Sequence, residues 1–431
     1  MNKKINVLVF PCGSEGALEL HASLSQCVNI NLFGASSRQD HGRFVYKNYI
    51  SSVPYIQDED FLDKFNSILK ENSIDIVFPI HDTVVLFLSE NREKIKSHMI
   101  MGDKRTCRIC RDKRLTYELF SKYEFCPTVY SSSEASRHFP VFLKPSDGQG
   151  GQRTQLVRSN EELNFFLEHE SSLLILEYLP GQELTVDCFT DRHGKLMFAG
   201  PRIRERVWAG ISVCSRTVAL SESKEIQQIA ETINRELGFH GLWYFQVKQD
   251  QKGKYKLLEI SSRTAGTMNL YRCLGVNFAL LSVYNAMGID VEILKNDYPI
   301  VVDRALINRY QIGYEYNTVY LDYDDTIIVQ GKVNSLLMMY LYQLINEEKN
   351  IVLLSRHDGD IFKDMKKHCI DKSLFTDIIH LKDNDQKVDF ITEAKSIFID
   401  NAFAERKKVA KEIGIPVFDV DAVSSLLDWR A

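Results

Sequence analysis

The sequence lacks any apolar run long enough to cross a bilayer, so no membrane-spanning helix is expected. It lacks a basic excess: 53 Lys and Arg stand against 58 Asp and Glu, for a net charge of -5 and a pI near 6.2. Neither nucleic acid nor an anionic membrane is therefore expected as a partner. No repeat of solenoid length and no low-complexity tract is present. The cysteines number nine, an odd count, and are scattered. Their one close pair, Cys107 and Cys110 in "TCRICRDKR", has C-x-x-C spacing, but no second such pair follows. Ordinary reduced thiols are expected there in place of a zinc knuckle or redox pair, and with them a cytoplasmic location. The opening "MNKKINVLVFPCGSEG" has lysines and an apolar run too short for a signal peptide, ending in Pro-Cys-Gly, and reads as a first β-strand.

What is there describes a globular chain, with 44% hydrophobic and 26% charged residues. A length of 431 residues exceeds one ordinary core, and roughly two to four units are expected. "INVLVF", "NINLFGAS" and "IDIVFPIHD" read as buried strands alternating with the helical patterns "CGSEGALELHASL" and "DFLDKFNSILKEN", which predicts a small parallel α/β unit. From about residue 110 shorter alternating strands appear, "PVFLKP", "LLILEYL", "LTVDCFT", "WYFQVK" and "KYKLLEIS", with turns such as "DRHGK" and "DQKGK". Two helices interrupt them, one opening on the capping-box pattern Ser159-x-x-Glu162. Periodicity fades around "DRALINRYQIGYEYN", placing a linker near Gly313, and "TVYLDYDDTI" begins a second α/β alternation. The expected fold class is thus α/β and α+β multidomain, with divisions at 1–105, 106–312 and 313–431.

Three segments of the middle part carry chemistry. In "FPVFLKPSDGQGGQRT" a strand delivers Lys144 to a loop with Gly148, Gly150 and Gly151. Glycines let backbone amides approach an anion and a lysine supplies positive charge, although an ordinary turn has the same composition and no Gly-Lys-[Ser/Thr] closes the motif. "LILEYLPGQELTVD" carries Glu177, breaks at Pro180-Gly181 and resumes through Glu183 and Asp187. It suits a nucleotide's base and ribose, and equally a solvated hairpin. In "WYFQVKQDQKGKYKLLEISSRTAGT" two strands flank a tight turn, so Gln246 and Glu259 would face one side if the strands pair. Hard Mg²⁺ takes oxygen ligands of that kind together with phosphate oxygens. Arg263 follows four positions later, within reach of a terminal phosphate.

The order Lys-Pro…Gly-Gly, Glu-x-x-x-Gly-x-Glu, Gln, Glu-Ile-x-x-Arg resembles the ATP-grasp superfamily over roughly residues 1 to 305. The likeness is to its carboxylate–amine ligases related to carbamoyl-phosphate synthetase and biotin carboxylase, including the small α/β unit that precedes the nucleotide-binding part. The resemblance implies ATP phosphates at Lys144 and Lys113, adenine at Glu177 and the backbone near Leu179, and ribose at Glu183. It implies Mg²⁺ (Mn²⁺ as alternative) at Gln246 and Glu259, and Arg263 at the transferred phosphate. The family's "EINPR" stands here as "EISSR", so Ser261 replaces a metal-ligating Asn with a shorter donor. "PRIRERVWAGISVCS" spaces Arg202, Arg204 and Arg206 at alternate positions, which on a regular strand would share a face. Such a row suits a carboxylate or phosphate substrate or a solvated basic edge; the resemblance favours the substrate.

A second constellation lies in "VYLDYDDTIIV". Asp322, Asp324 and Asp325 crowd the end of an apolar strand, where like carboxylates repel unless a cation compensates. Downstream, "NIVLLSRHD" ends a strand in Ser355, "LKDNDQKVDFI" offers Lys382 and Lys387, and "SIFIDNAFAER" ends a strand in Asp400 with Glu405 beyond. Ends of parallel strands share one crevice. These elements resemble the haloacid-dehalogenase-like (HAD) phosphohydrolases over roughly residues 316 to 431. The resemblance implies Asp322 as nucleophile and Asp324 as general acid/base, with both carboxylates and Asp400 at Mg²⁺. It places Thr326, Ser355 and a lysine at the phosphoryl group. Lys387 is favoured over Lys382 because it opens the helical pattern "KVDFITEA". Asn401 stands where the family often has a second Asp. Only 28 residues separate Thr326 from Ser355, room for a flap and a helix and not for a cap domain.

Together these readings predict a bifunctional biosynthetic enzyme: an ADP-forming carboxylate–amine ligase fused to a Mg²⁺-dependent phosphatase, acting on a small-molecule carboxylate, an amine and a phosphoester. The alternatives are a phosphatase whose ATP-grasp part only binds nucleotide, and a nucleotide-regulated binding protein with inactive centres. A homo-oligomer is compatible with the sequence.

Overall fold

Continuous apolar runs become strands covered on both faces. In the computed structural model, which describes residues 4–148, 151–170, 172–219 and 223–430, Ile5–Phe10 is the central strand of a five-stranded parallel sheet. Its neighbours are Ile30–Ala35 and then Asn48–Ile50 on one side, and Ile76–Pro79 and then His98–Met99 on the other. Val7 and Val9 pack with Ala17 and Leu20 on one face, while Leu8 and Phe10 pack with Phe61 and Phe65 on the other. Two covered faces leave little room for polar residues, which is why the buried part of the strand, Val7 to Phe10, is apolar throughout.

A four-stranded antiparallel sheet follows, in the order Val129–Tyr130, Leu173–Glu177, Val141–Pro145, Gln155–Val157. A six-stranded sheet is also antiparallel throughout: Tyr255–Ser261, Gly241–Gln249, Glu183–Thr190, Leu196–Trp208, Ile211–Thr217, Val301–Asp303. Here the sequence alternates because the two faces differ. Leu184, Val186 and Cys188 enter an apolar core with Ile229, Ile233 and Trp243. Glu183, Thr185 and Asp187 consequently line the opposite, polar face. That face carries most of the expected site.

No helix or strand occurs between Asp303 and Thr318, and the chain divides into compact units Met1–Leu306 and Ile307–Ala431. The second unit is built on a five-stranded parallel sheet in the order Asp377–His380, Asn350–Ser355, Thr318–Leu321, Ser396–Ile399, Val417–Phe418. Val319 and Leu321 face one core and Tyr320 the other. Between Thr326 and Ser355 lie a small hairpin, Ile328–Val329 with Lys332–Val333, and the helix Ser335–Asn346. One local expectation fails: "KVDFITEA" forms only the short 3-10 turn Lys387–Phe390 and not a helix. The β-branched residues and the single turn of apolar spacing give it little independent helical stability. Among the described residues no helix is long and apolar enough to cross a membrane, and all nine cysteines are free thiols.

Candidate active sites

Strand Val141–Pro145 carries Lys144 to a nearly closed position, 7% exposed, where Nζ donates to the Leu258 carbonyl at 2.8 Å and lies 5.2 Å over the Tyr117 ring. Lys113 opens the helix Lys113–Phe120 and donates through Nζ to the Gly148 carbonyl at 2.7 Å. Burial, reinforced by the Lys113 charge, pulls the Lys144 ammonium down to about 7 against the opposing pull of Glu259 and Glu183. The glycines answer to backbone geometry. A Cβ at position 148 would stand 2.5 Å from the Pro145 ring, and Gly151 has φ +69°, which L side chains rarely adopt. Gly150 lies outside the described residues.

Gln246 and Glu259 are direct partners in the antiparallel register, so the strands flanking "QDQKGK" bring both side chains to one face. Glu183 reaches that face from the neighbouring strand, where it pairs with Arg204 and stands 3.8 Å from Lys248. Arg204 Nη1 also reaches Gln246 Oε1 at 3.3 Å. The three arginines do not form a row. Arg202 is buried and ion-paired to Asp187 at 2.7 Å, and Arg204 is committed to Glu183. Arg206 lies past an irregularity in strand register and is bound to Asp303 at 2.8 Å in an exposed position. A bulge resets alternation, so Arg206 leaves the polar face that Arg202 and Arg204 share. Glu177 ends its strand with Oε1 accepting from the Thr128 amide at 2.8 Å, and Leu179 is buried.

Arg263 stands in a polar pocket of about 40 Å³ with Lys113, Gly148, Glu259, Ser261 and Asp82. Its Nε and Nη2 each donate to the Asp82 carboxylate at 2.8 Å, and Ser261 Oγ donates to the same group at 2.8 Å. Burial alone would raise the Asp82 pKa, but the Arg263 guanidinium and the hydroxyl outweigh it and hold the acid down at about 2. Asp82 was not anticipated from sequence. The signal was available: it opens the helix Asp82–Glu90 just past the buried parallel strand Ile76–Pro79, a position where open α/β sheets place ligand groups. Gln246 and Glu259 make a hard-oxygen pair suited to Mg²⁺. Ser261, two residues past Glu259 on the same strand and lining the same pocket, donates its proton to Asp82.

This first unit has an ATP-grasp-like fold. Residues 169–305 match the sequence family described as "ATP-grasp in the biosynthetic pathway with Ter operon". The chain is 27% identical over 177 residues to a D-alanine–D-alanine ligase of Francisella tularensis subsp. tularensis, covering 37% of this chain and 60% of that relative. It is 21% identical over 280 residues to a carbamoyl-phosphate synthase of Methanobrevibacter smithii, covering 56% and 76%. Biotin carboxylase from Campylobacter jejuni, solved as a β,γ-ATP complex, superposes with a TM-score of 0.57 at 14% identity, covering 69% of this chain and 74% of that one.

In the second unit, Asp322 follows strand Thr318–Leu321, Ser355 ends Asn350–Ser355 and Asp400 follows Ser396–Ile399. The three strands are adjacent and parallel, so their carboxyl ends meet. Lys387 Nζ sits between two of the carboxylates, 2.7 Å from Asp322 Oδ1 and 2.5 Å from Asp400 Oδ2. Burial raises the Asp400 pKa while Lys387 opposes it. Lys382 is exposed. Asp325 takes a left-handed turn, φ 52°, a conformation Asp tolerates, and the chain doubles back to bury Thr326. The Thr326 hydroxyl accepts from the Asn401 amide at 3.2 Å.

The expected cluster of three carboxylates is corrected. Asp324 is turned to His357, whose Nδ1 lies 2.9 Å from Oδ2, and is half exposed. Two carboxylates and a lysine remain, and among the described residues no group of three acidic, histidine or cysteine side chains is arranged for a metal. Glu405 is engaged by Arg356 at 2.7 Å. The Ser355 hydroxyl, 1% exposed, has no hydrogen-bond partner. A buried hydroxyl without a partner costs about 1–3 kcal/mol. His357 was missed in the sequence although it stands two residues past Ser355.

Proposed function

We propose that the chain is a bifunctional biosynthetic enzyme: an ADP-forming carboxylate–amine ligase in the first unit and a HAD-like phosphomonoesterase in the second. The ligase reading rests on one observation above the rest, the register that sets Gln246 opposite Glu259 on the polar face. Lys144, Lys113 and Arg263 lie close enough to interact with Glu259 or to share its pocket. ATP phosphates would be held by Lys144 and Lys113 and by the amides of Gly148 and Gly151, adenine at Glu177 and Leu179, and ribose at Glu183. Arg263 would move from Asp82 to the transferred phosphoryl group as a carboxylate of the substrate is activated, and an amine would then displace phosphate to give an amide. Mg²⁺, when bound at Gln246 and Glu259, supplies neutralisation of the phosphate oxygens.

For the second unit the supporting observation is the orphaned Ser355 hydroxyl beside a lysine shared by two strand-end carboxylates. Asp322 would attack phosphorus, Ser355, Thr326 and Lys387 would hold the phosphoryl oxygens, and Asp324, oriented by His357, would handle the leaving-group proton. Asp322 and Asp400 are the oxygens available to Mg²⁺. A screen of amino acids, sugar acids and amines for stoichiometric ADP release, read by mass for a dehydrative product, tests the ligase. Aryl-phosphate hydrolysis with and without EDTA tests the phosphatase. One observation favours a second reading, in which the first unit binds nucleotide without ligase turnover: the Ser261 hydroxyl is tied to Asp82. Tight ATP-analogue binding with no ADP release under any substrate pair would select it.

A further inference from the structure

We propose that the first unit holds a second ligand site, a cavity for a small organic acid that carries an apolar body. The cavity measures about 370 Å³, within the range of small-molecule sites. It shares no lining residue with the pocket around Glu259 and Arg263. Its walls come from the edge strand His98–Met99, the segment running on to Lys104, and the end of the helix Phe278–Ala286.

Two properties define the ligand. Arg92, Lys104 and Arg192 put cationic side chains on the wall. Arg192 is held by Asp290 at 2.7 Å, while Arg92 and Lys104 form no ion pair among the described residues; Arg92 donates only to the Ile95 carbonyl. The one carboxylate on the wall, Asp103, accepts from the Thr106 amide at 2.7 Å as the cap of helix Lys104–Arg111. The balance favours an anion. Met99, Met101 and Ala286 supply an apolar surface, with methionines able to adapt to a flat or branched body.

The dye 8-anilinonaphthalene-1-sulfonate has both features: an anionic group and an apolar body. The full chain, saturated with a non-hydrolysable ATP analogue, is titrated with the dye and followed by fluorescence. One saturable site is expected. Its dissociation constant should rise roughly tenfold or more in Lys104→Glu and in Arg92→Glu, with ATP-analogue affinity unchanged. Lys104 is exposed at the first helical position, where Glu suits the helix dipole, so that variant keeps its fold. Ala286→Trp, which fills the cavity, should abolish the site. Absence of saturable binding, or dye affinity indifferent to both charge reversals, overturns the proposal. So does a site that appears only when the nucleotide analogue is withheld.

Discussion

The two candidate centres hold their cations by different means. In the first unit Arg263 rests on Asp82, 181 positions away, and Lys144 on the Leu258 carbonyl, 114 away, while Lys113 reaches Gly148, 35 away. In the second, Lys387 joins Asp400, 13 positions away, to Asp322 across the sheet. The first site exists once separate elements have docked. The second is gathered at adjacent strand ends in one parallel sheet. Charge placement therefore depends on the docking of separate elements in the first centre and on the assembly of a single sheet in the second.

The largest effect that could break this contrast comes from Asp322→Asn. Aryl-phosphate hydrolysis should fall by roughly a thousandfold or more, while the thermal midpoint without Mg²⁺ stays near the parent value, because Lys387 keeps Asp400 as partner. A loss of stability parallel to the loss of activity would make this aspartate structural. Next is Lys144→Ala, which should weaken ATP-analogue binding by about 1.5–3 kcal/mol, or roughly 10- to 150-fold, in calorimetric titration.

Asp82→Asn should act on the fold instead. It leaves Arg263 half-buried without its carboxylate and should cost about 2 kcal/mol in urea unfolding. The pH dependence gives the sign. The Asp82 pKa lies lower in the folded chain, about 2 against 3.8, so its contribution is complete above about pH 4 and is lost as pH falls through 2. The parent's stability should decline more steeply over that interval than the variant's. Smallest is Lys382→Ala, expected to leave hydrolysis within about twofold; a large loss there would return the choice between the two lysines to Lys382.

Legibility followed the same division. In the second unit the strand ends with Ser355 and Asp400 could be read directly, since buried parallel strands announce themselves as apolar runs and the chemistry sits at or just past the last residue; Lys387 was favoured for a helix that the chain does not form. The turn of Asp324 towards His357 could not, because it depends on a side-chain direction at a half-exposed position. In the first unit the pairing of Gln246 with Glu259 was legible from the short turn between two alternating strands. The fate of the three arginines was not: an irregularity in one ladder separates Arg206 from Arg204, and nothing in "PRIRERVWAG" marks it. Asp82 escaped because its partners lie in a strand and loop far down the chain.

The buried position of Lys144 ties the stability of the fold to the proton concentration of the solution. Its ammonium releases a proton at about 7 in the folded chain, against 10.5 for a lysine side chain free in water. Over the interval from about 7 to 10.5 the unfolded chain binds the extra proton, so the unliganded fold gains stability with rising pH. On the phosphate role proposed for Lys144, nucleotide affinity should decline over the same interval, so that alkaline solution would favour the empty protein twice.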